Sequence, residues 1–385
     1  MNYFLKESEL SIQKLFRDYV NKRIIPSRFE LDQKNEFPDK HFEEMAVLDF
    51  FRVMVPEEYG GFGDNIMQLT IAIEELSRGD GGIGVSFAVD SIATKALILF
   101  GSKQQKTKYL PSIADGKILT GFALTEPNAG SDAGSIKTRA VPKNGSYVIN
   151  GVKQFITNGE VASLYVVLAV TDSEKGKKGG HTAFLVEKGT PGISFGKKED
   201  KMGIRSSVTR EVIFEDCVVP EENILGNLGQ GFYIAMNLLD KSRIGIGAQA
   251  IGIAEAALEE ACKYAKQRKQ FGQSIHSFQG IQFILADMAT AIEAARLLVY
   301  QAAKLADSGS DVPLTKIASM SKLFASDTAV KVTNDALQVF GGYGYMKEYP
   351  MEKFVRDARV TQIYEGTNQI QRLAIANSLI KEPFF

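Results

Sequence analysis

Glu365, in Tyr364-Glu365-Gly366-Thr367, is the carboxylate of this sequence whose surroundings best suit proton abstraction. Gly366 permits close backbone approach, and Thr367 is placed to cap a helix over 368–380. At a helix entrance in apolar surroundings, desolvation raises the carboxyl pKa while the helix dipole lowers it. A solvated first-turn glutamate is the ordinary alternative. Three further stretches concentrate polar and glycine residues: FALTEPNAGSD (122–132), QFITNG (154–159) and RKQFG (268–272). In the first, Pro127 and Gly130 bend the chain while Thr125 and Ser131 offer hydroxyls; an inter-domain turn would look the same. The third reads equally as a basic turn complementing a helix dipole. No GxGxxG lies between a strand and a helix, and no P-loop, HExxH or GxSxG occurs, which argues against a Rossmann nicotinamide site. Two cysteines, Cys217 and Cys262, and three histidines make neither a disulfide framework nor a zinc set.

The elements that must hold these stretches change period along the chain. Up to about residue 120 the pattern is helical, with Ile12, Leu15, Phe16, Tyr19 and Val20 on one face. From 121 to 230 it turns strand-like. Tyr147-Val148-Ile149 precedes Asn150-Gly151, a hairpin-turn dipeptide, with a second strand expected over 152–157 and others at 164–170, 182–186 and 212–214. From 231 to 385 long helices return, with Ile253, Ala257, Ala261 and Ala265 at fourfold spacing as in a bundle. The expected fold is α+β: an N-terminal all-α domain (1–120), a small β-barrel or sheet domain (121–230) and a C-terminal four-helix bundle (231–385). With 44% hydrophobic and 24% charged residues the chain has an ordinary globular composition, and a net charge of -1 gives no reason to expect nucleic acid. No apolar run is expected to approach the roughly 20 residues needed to span a bilayer, and the N-terminus shows no signal-peptide pattern. A reducing, cytoplasmic setting is expected, or the mitochondrial matrix for a mature eukaryotic form.

In order and spacing, the four blocks at 122–132, 154–159, 268–272 and 356–371 (RDARVTQIYEGTNQIQ) resemble the acyl-CoA dehydrogenases over essentially the whole chain, most of all the short-chain (butyryl) branch. The resemblance implies FAD and α,β-dehydrogenation of an acyl-CoA in fatty acid β-oxidation. Glu365 would take the α-proton and flavin N5 the β-hydride. The Glu365 amide and a flavin ribityl hydroxyl would hold the thioester oxygen. It further implies that Phe122, Leu124 and Thr125 border the flavin, with Thr125 at the pyrimidine edge, and that Ser131 meets CoA or FAD phosphates. Phe155, where the family often has Trp, would shield one ring face, and Thr157 would reach N5. Arg268 and Phe271 would cross a subunit interface to a neighbour's FAD, completed by Gln338, Gly341 and Gly342, with Thr367 and Gln369 also on the cofactor. Electrons would pass to an electron-transfer flavoprotein, and the assembly would be a homotetramer, a dimer of dimers.

On the substrate side the resemblance implies Ser131, Phe232, Met236, Asp240, Arg243, Tyr364 and Gly366, although core packing is the more ordinary fate of the apolar ones. Isovaleryl- and long-chain-type members place the glutamate on another helix, just before an arginine. Here Ser242 precedes Arg243, leaving the duty to Glu365; Arg243 would support the catalytic loop or simply pair with Asp240. Glutaryl-type members place an arginine at the position of Gly84, so a dicarboxylic substrate is disfavoured and a short linear, branched or alicyclic acyl group expected. Asp90 stands where short-chain relatives tend to have a neutral amide. It is expected either to cap a helix over 91–100 or to present a carboxylate near the pocket. Within enzymes an acyl-CoA oxidase or a dehydrogenase of a carrier-protein thioester remains open. A catalytically silent flavin-binding interaction protein is disfavoured by Glu365 together with Thr125 and Thr157.

Overall fold

A computed structural model describes residues 5–309 and 313–381. Six helices come first: α1 (Glu7–Tyr19), α2 (Ile25–Lys34), α3 (Asp39–Val47), α4 (Ile66–Gly79), α5 (Gly81–Phe100) and α6 (Lys103–Ala114). Eight strands follow: β1 (Thr120–Ala123), β2 (Arg139–Lys143), β3 (Ser146–Thr157), β4 (Leu164–Val170), β5 (His181–Glu187), β6 (Ile193–Phe195), β7 (Thr209–Pro220) and β8 (Ile224–Leu225). Then come α7 (Gly231–Gln267), a hairpin of β9 (Lys269–Gln270) and β10 (Gln273–Ser274), α8 (Gln279–Asp307), α9 (Leu314–Phe340), α10 (Met351–Val360) and α11 (Asn368–Lys381). Helices α7, α8, α9 and α11 pack as the expected bundle, and α4 and α5 lie against α7.

The sheet runs β6-β7-β3-β2-β4-β5-β8, with β1 parallel to β4. Its strands alternate cleanly between two cores. Leu164, Val166 and Leu168 of β4 join the large helical core, while Tyr165, Val167 and Ala169 point into a second core closed by Tyr147, Phe184 and Phe214. The sheet is thereby pinned to the helices along one face.

Four expectations need correction. Asn150-Gly151 is not a turn. β3 runs straight through it with a register shift at Ile149/Gly151, and Gly151 has φ +150. The hairpin turn is the preceding Asn144-Gly145, both left-handed, which joins Lys143 to Ser146. Leu15 is 38% exposed, so the buried face of α1 is Ile12, Phe16 and Tyr19, continued by Val20. Asp90 caps nothing. Helix α5 starts ten residues earlier, where Asp80 accepts from Gly82 N (2.9 Å) and Ile83 N (3.1 Å). Finally, α5 is long and apolar enough to cross a bilayer by length and composition, yet every residue from Gly81 to Leu97 is buried inside the protein.

Candidate active site

Two consecutive left-handed residues, Glu365 (φ +51) and Gly366 (φ +87), turn the chain into α11. A non-glycine residue in that region is uncommon and needs outside support. Thr367 Oγ1 accepts from Ile370 N at 3.3 Å, as expected of a cap. Gln371 donates to the carbonyls of Glu365 (3.2 Å) and Gly366 (2.9 Å). Lys322 Nζ, from α9, donates to Gly366 O and to Asn368 Oδ1, both at 2.9 Å. The Glu365 carboxylate accepts from Ser242 Oγ at 2.8 Å. Burial pushes the Glu365 carboxyl up, and Ser242, Lys322 and Arg243 offset part of that rise. The two base locations considered from sequence therefore meet at one point, with a hydroxyl on α7 and the carboxylate on the loop.

Along α7, Arg243 spends its hydrogen bonds on Asp240 (2.6 Å) and Ser319 (3.2 Å), while Thr315 holds the other Asp240 oxygen at 2.6 Å. Arg243 is thus Asp240's partner, and it reaches the loop only through its charge. Tyr364 turns its phenol to Gln249, which in turn donates to Gly81 O at 2.9 Å. Phe232 lies beside His181 at 5.9 Å, and Met236 packs on the large core. Beside Ser242, between α4, α5 and α7, is a cavity of ≈ 30 Å³ walled by Leu69, Ile73, Ala88, Ile92, Leu238 and Gly245, with Lys95 and Lys241 also on its lining.

Across the sheet edge, the loop after β1 is tied to β3. Gln154 N donates to Thr125 O at 2.8 Å, and buried Lys153 donates to Leu124 O (3.1 Å) and Glu126 (2.8 Å). Glu126 also takes the amides of Lys137 and Thr138, and Lys153 beside it holds its carboxyl below the usual range. On the same edge Phe155 sits at a second bulge with φ +58 and is 62% exposed, two residues before Thr157, which pairs with Thr209. Phe122 is half-buried on β1, and Ser131 is exposed on the following loop.

A third cluster surrounds an open cavity of ≈ 610 Å³ lined by Arg268, Phe271, Gln338, Gly341, Gly342 and Tyr343. Phe271 (φ +52) and Gly272 (φ +80) form the tip of the β9–β10 hairpin, leaving the ring 93% exposed. Gly341, also left-handed at φ +58, ends α9, so it serves as both cap and cavity wall. Gln369 is exposed on α11. Asp90 stands apart from all three clusters. Its Oδ1 accepts from Thr120 N and Oγ1, both at 2.7 Å, while Oδ2 is buried with no partner among the described residues.

Two exposed aromatic rings in strained backbone, a polar loop edge and an arginine-lined cavity suit a large cofactor with a flat ring and a phosphate bridge. Sequence reasoning missed Lys322, Gln371 and the Lys153–Glu126 pair. The available signal was Lys322 in register with Ala318, Ala325 and Ala329 on the buried face of α9.

Residues 6–117, 121–217 and 229–380 match the N-terminal, middle and C-terminal domains of acyl-CoA dehydrogenase. An acyl-CoA dehydrogenase of Bacillus subtilis is 51% identical over 375 residues, covering 97% of this chain and 98% of that one. Butyryl-CoA dehydrogenase from Megasphaera elsdenii superposes with a TM-score of 0.95 at 44% identity, over 99% of this chain and 100% of the other. A chain from the structure of the electron transferring flavoprotein of Acidaminococcus fermentans gives a TM-score of 0.96 at 48% identity, over 99% and 100%.

Proposed function

The chain belongs to the acyl-CoA dehydrogenase family, an FAD-dependent family of oxidoreductases, and on that premise we propose that Glu365 is the base in the oxidation of a short-chain acyl-CoA to its 2-enoyl-CoA. The observation behind this reading is a half-buried carboxylate, raised in pKa and held by Ser242, beside a small apolar cavity. The thioester acidifies the α-hydrogen; Glu365 removes it as a proton and itself becomes a neutral carboxyl. FAD, when bound, accepts the hydride leaving the β-carbon, so two C–H bonds break, one C=C bond forms and both hydrogens are accounted for. Among the described residues no acceptor engages the Glu365 N–H, which leaves it free to polarise the thioester oxygen. Thr125 and Thr157 would hold the flavin's polar edge, with Phe155 covering its face. Arg268, Phe271, Gln338 and Gly342 would hold the adenine and pyrophosphate end of a neighbouring subunit's FAD.

Two features favour a short acyl group. The cavity beside Ser242 has room for only about two water-sized groups, and its lining includes Lys95, which is paired to Asp64. A Cβ on Gly84 would lie 1.9 Å from Ser77 Oγ, so no side chain fits there to bind a distal carboxylate. An electron-transfer flavoprotein is the proposed acceptor and a homotetramer the proposed assembly. Anaerobic bleaching of the flavin by acyl-CoAs from butyryl to palmitoyl, for the parent and Glu365→Gln, tests the reading. Glu365→Gln should keep FAD and lose flavin reduction by at least about a thousandfold, roughly 4 kcal/mol in barrier. Activity within about tenfold of the parent would assign the base elsewhere, and a maximum at palmitoyl-CoA would refute the short pocket.

A further inference from the structure

Resting on the reading of Glu365 as base, we propose that Lys322 is the positioning residue that locks the catalytic loop and keeps Glu365 ionised until substrate arrives. The Lys322 side chain is fully buried on α9 and ends in two hydrogen bonds to uncharged oxygens, Gly366 O and Asn368 Oδ1. Asn368 is itself fixed from the same helix, donating to Ser326 Oγ at 2.9 Å and to Asp327 Oδ1 at 2.7 Å. Lys322 and Gln371 thus share the carbonyl of Gly366, and Gln371 adds that of Glu365. These bonds clamp the two peptide units whose left-handed conformation aims the Glu365 side chain at Ser242. An apolar residue would fill the same space on α9 without the cost of burying an ammonium. What the ammonium adds, while protonated, is a positive charge behind the base.

The charges around Glu365 are few. From α7 come Arg243, already neutralised by Asp240, and the Ser242 hydroxyl. From α9 come Lys322 and, one turn on, Asp327, which is committed to Asn368 and Gln362. From the loop itself comes the Tyr364 phenol, turned away to Gln249. Among the described residues Lys322 makes no ion pair, so its charge is the one left uncompensated near the carboxylate. Its attraction holds Glu365 down against the upward push of burial, more strongly than Arg243 does. Burial holds Lys322 itself down at about 7, with Glu365 and Asp327 offsetting part of that fall. Removing the ammonium therefore lets Glu365 keep its proton to higher pH, where it is no base.

The test follows anaerobic flavin reduction by butyryl-CoA in the holoenzyme from about pH 5.5 to about 9.5 for the parent, Lys322→Met, Lys322→Gln, Lys322→Arg and Glu365→Gln. Lys322→Met should move the acidic limb up by about one pH unit and slow reduction at neutral pH about ten- to a hundredfold, with butyryl-CoA binding changed less than about threefold. Lys322→Arg should restore the limb and most of the rate. If Lys322→Met fails to retain FAD, the neutral Lys322→Gln decides by the same limb. An acidic limb that stays at the parent position in the neutral variants overturns the proposal, as does a loss uniform across pH that arginine does not rescue. Glu365→Gln separates the two readings. If it still reduces flavin at near-parental rate, the base is another residue; if it is dead and the limb does not move, only the role of Lys322 falls.

Discussion

Asp90 is a carboxylate with no charged neighbour, held on one oxygen by Thr120 and left bare on the other. Burial pushes it up to about 7, and the Thr120 bonds undo only part of that shift. The folded protein therefore keeps a proton that the unfolded chain releases near pH 4. Stability contributed by this group is fully present below about pH 4 and is lost as pH rises toward 7, by at most about 4 kcal/mol. Asp90→Asn should flatten the thermal midpoint between about pH 5 and 8 and leave the parent the less stable protein at the alkaline end. Parallel pH profiles for the two proteins would show Asp90 paired by something else. Glu365 was legible in sequence because its glycine, its cap and its helix are contiguous. Its supports were not: Ser242 lies 123 residues from Glu365 and Lys322 bonds Gly366 from 44 residues away, distances over which no local pattern speaks.

At the scale of elements, two Asn-Gly dipeptides six residues apart in one β-region have opposite fates. Asn144-Gly145 reverses the chain, whereas Asn150-Gly151 bends a strand that continues. The difference is tertiary: Gly151 passes Thr138 so closely that a Cβ would lie 2.7 Å from its Cα, while nothing stands within 4 Å of the same position on Gly145. Both need φ values that side chains resist. Gly145→Ala should cost only that strain, about 1 kcal/mol, while Gly151→Ala adds a clash with backbone and should cost about 3 kcal/mol. Urea unfolding of the two variants gives the comparison, and equal midpoints would mean the bulge yields without penalty. The positions of β4, β5 and β7 were readable from their apolar runs; the bulge was not, because the dipeptide is identical in both places.

At the scale of the whole molecule, the exposed hairpin tip is where the proposed homotetramer would place a second subunit. A ring as exposed as Phe271, beside a cavity bordered by Arg268, is apolar surface awaiting cover. Arg268→Ala should loosen FAD and assembly together, seen as flavin lost on gel filtration and a shift from tetramer toward smaller species. A parent that elutes as a flavin-retaining monomer would remove the basis for that expectation. The helix–sheet–helix order was legible because the hydrophobic period changes twice, but how one end meets the other was not. Helix α5 makes the point: Gln249 of α7 bonds Gly81, Ile253 lies against the same residue, and all of α5 up to Leu97 is buried. On the ribosome, however, α5 emerges long before α7, which does not begin until Gly231. At about 5–20 residues per second the nascent chain must keep a membrane-like segment out of water for on the order of ten seconds with the wall that α7 supplies unmade. A chain stopped at residue 230 should bind hydrophobic dye and aggregate where the full chain does neither, and a fragment that stayed dispersed and dye-silent would mean α4 and the sheet suffice to shelter it. Such a protein is exposed to chaperone dependence during synthesis, at the same helix that borders the cavity beside Ser242.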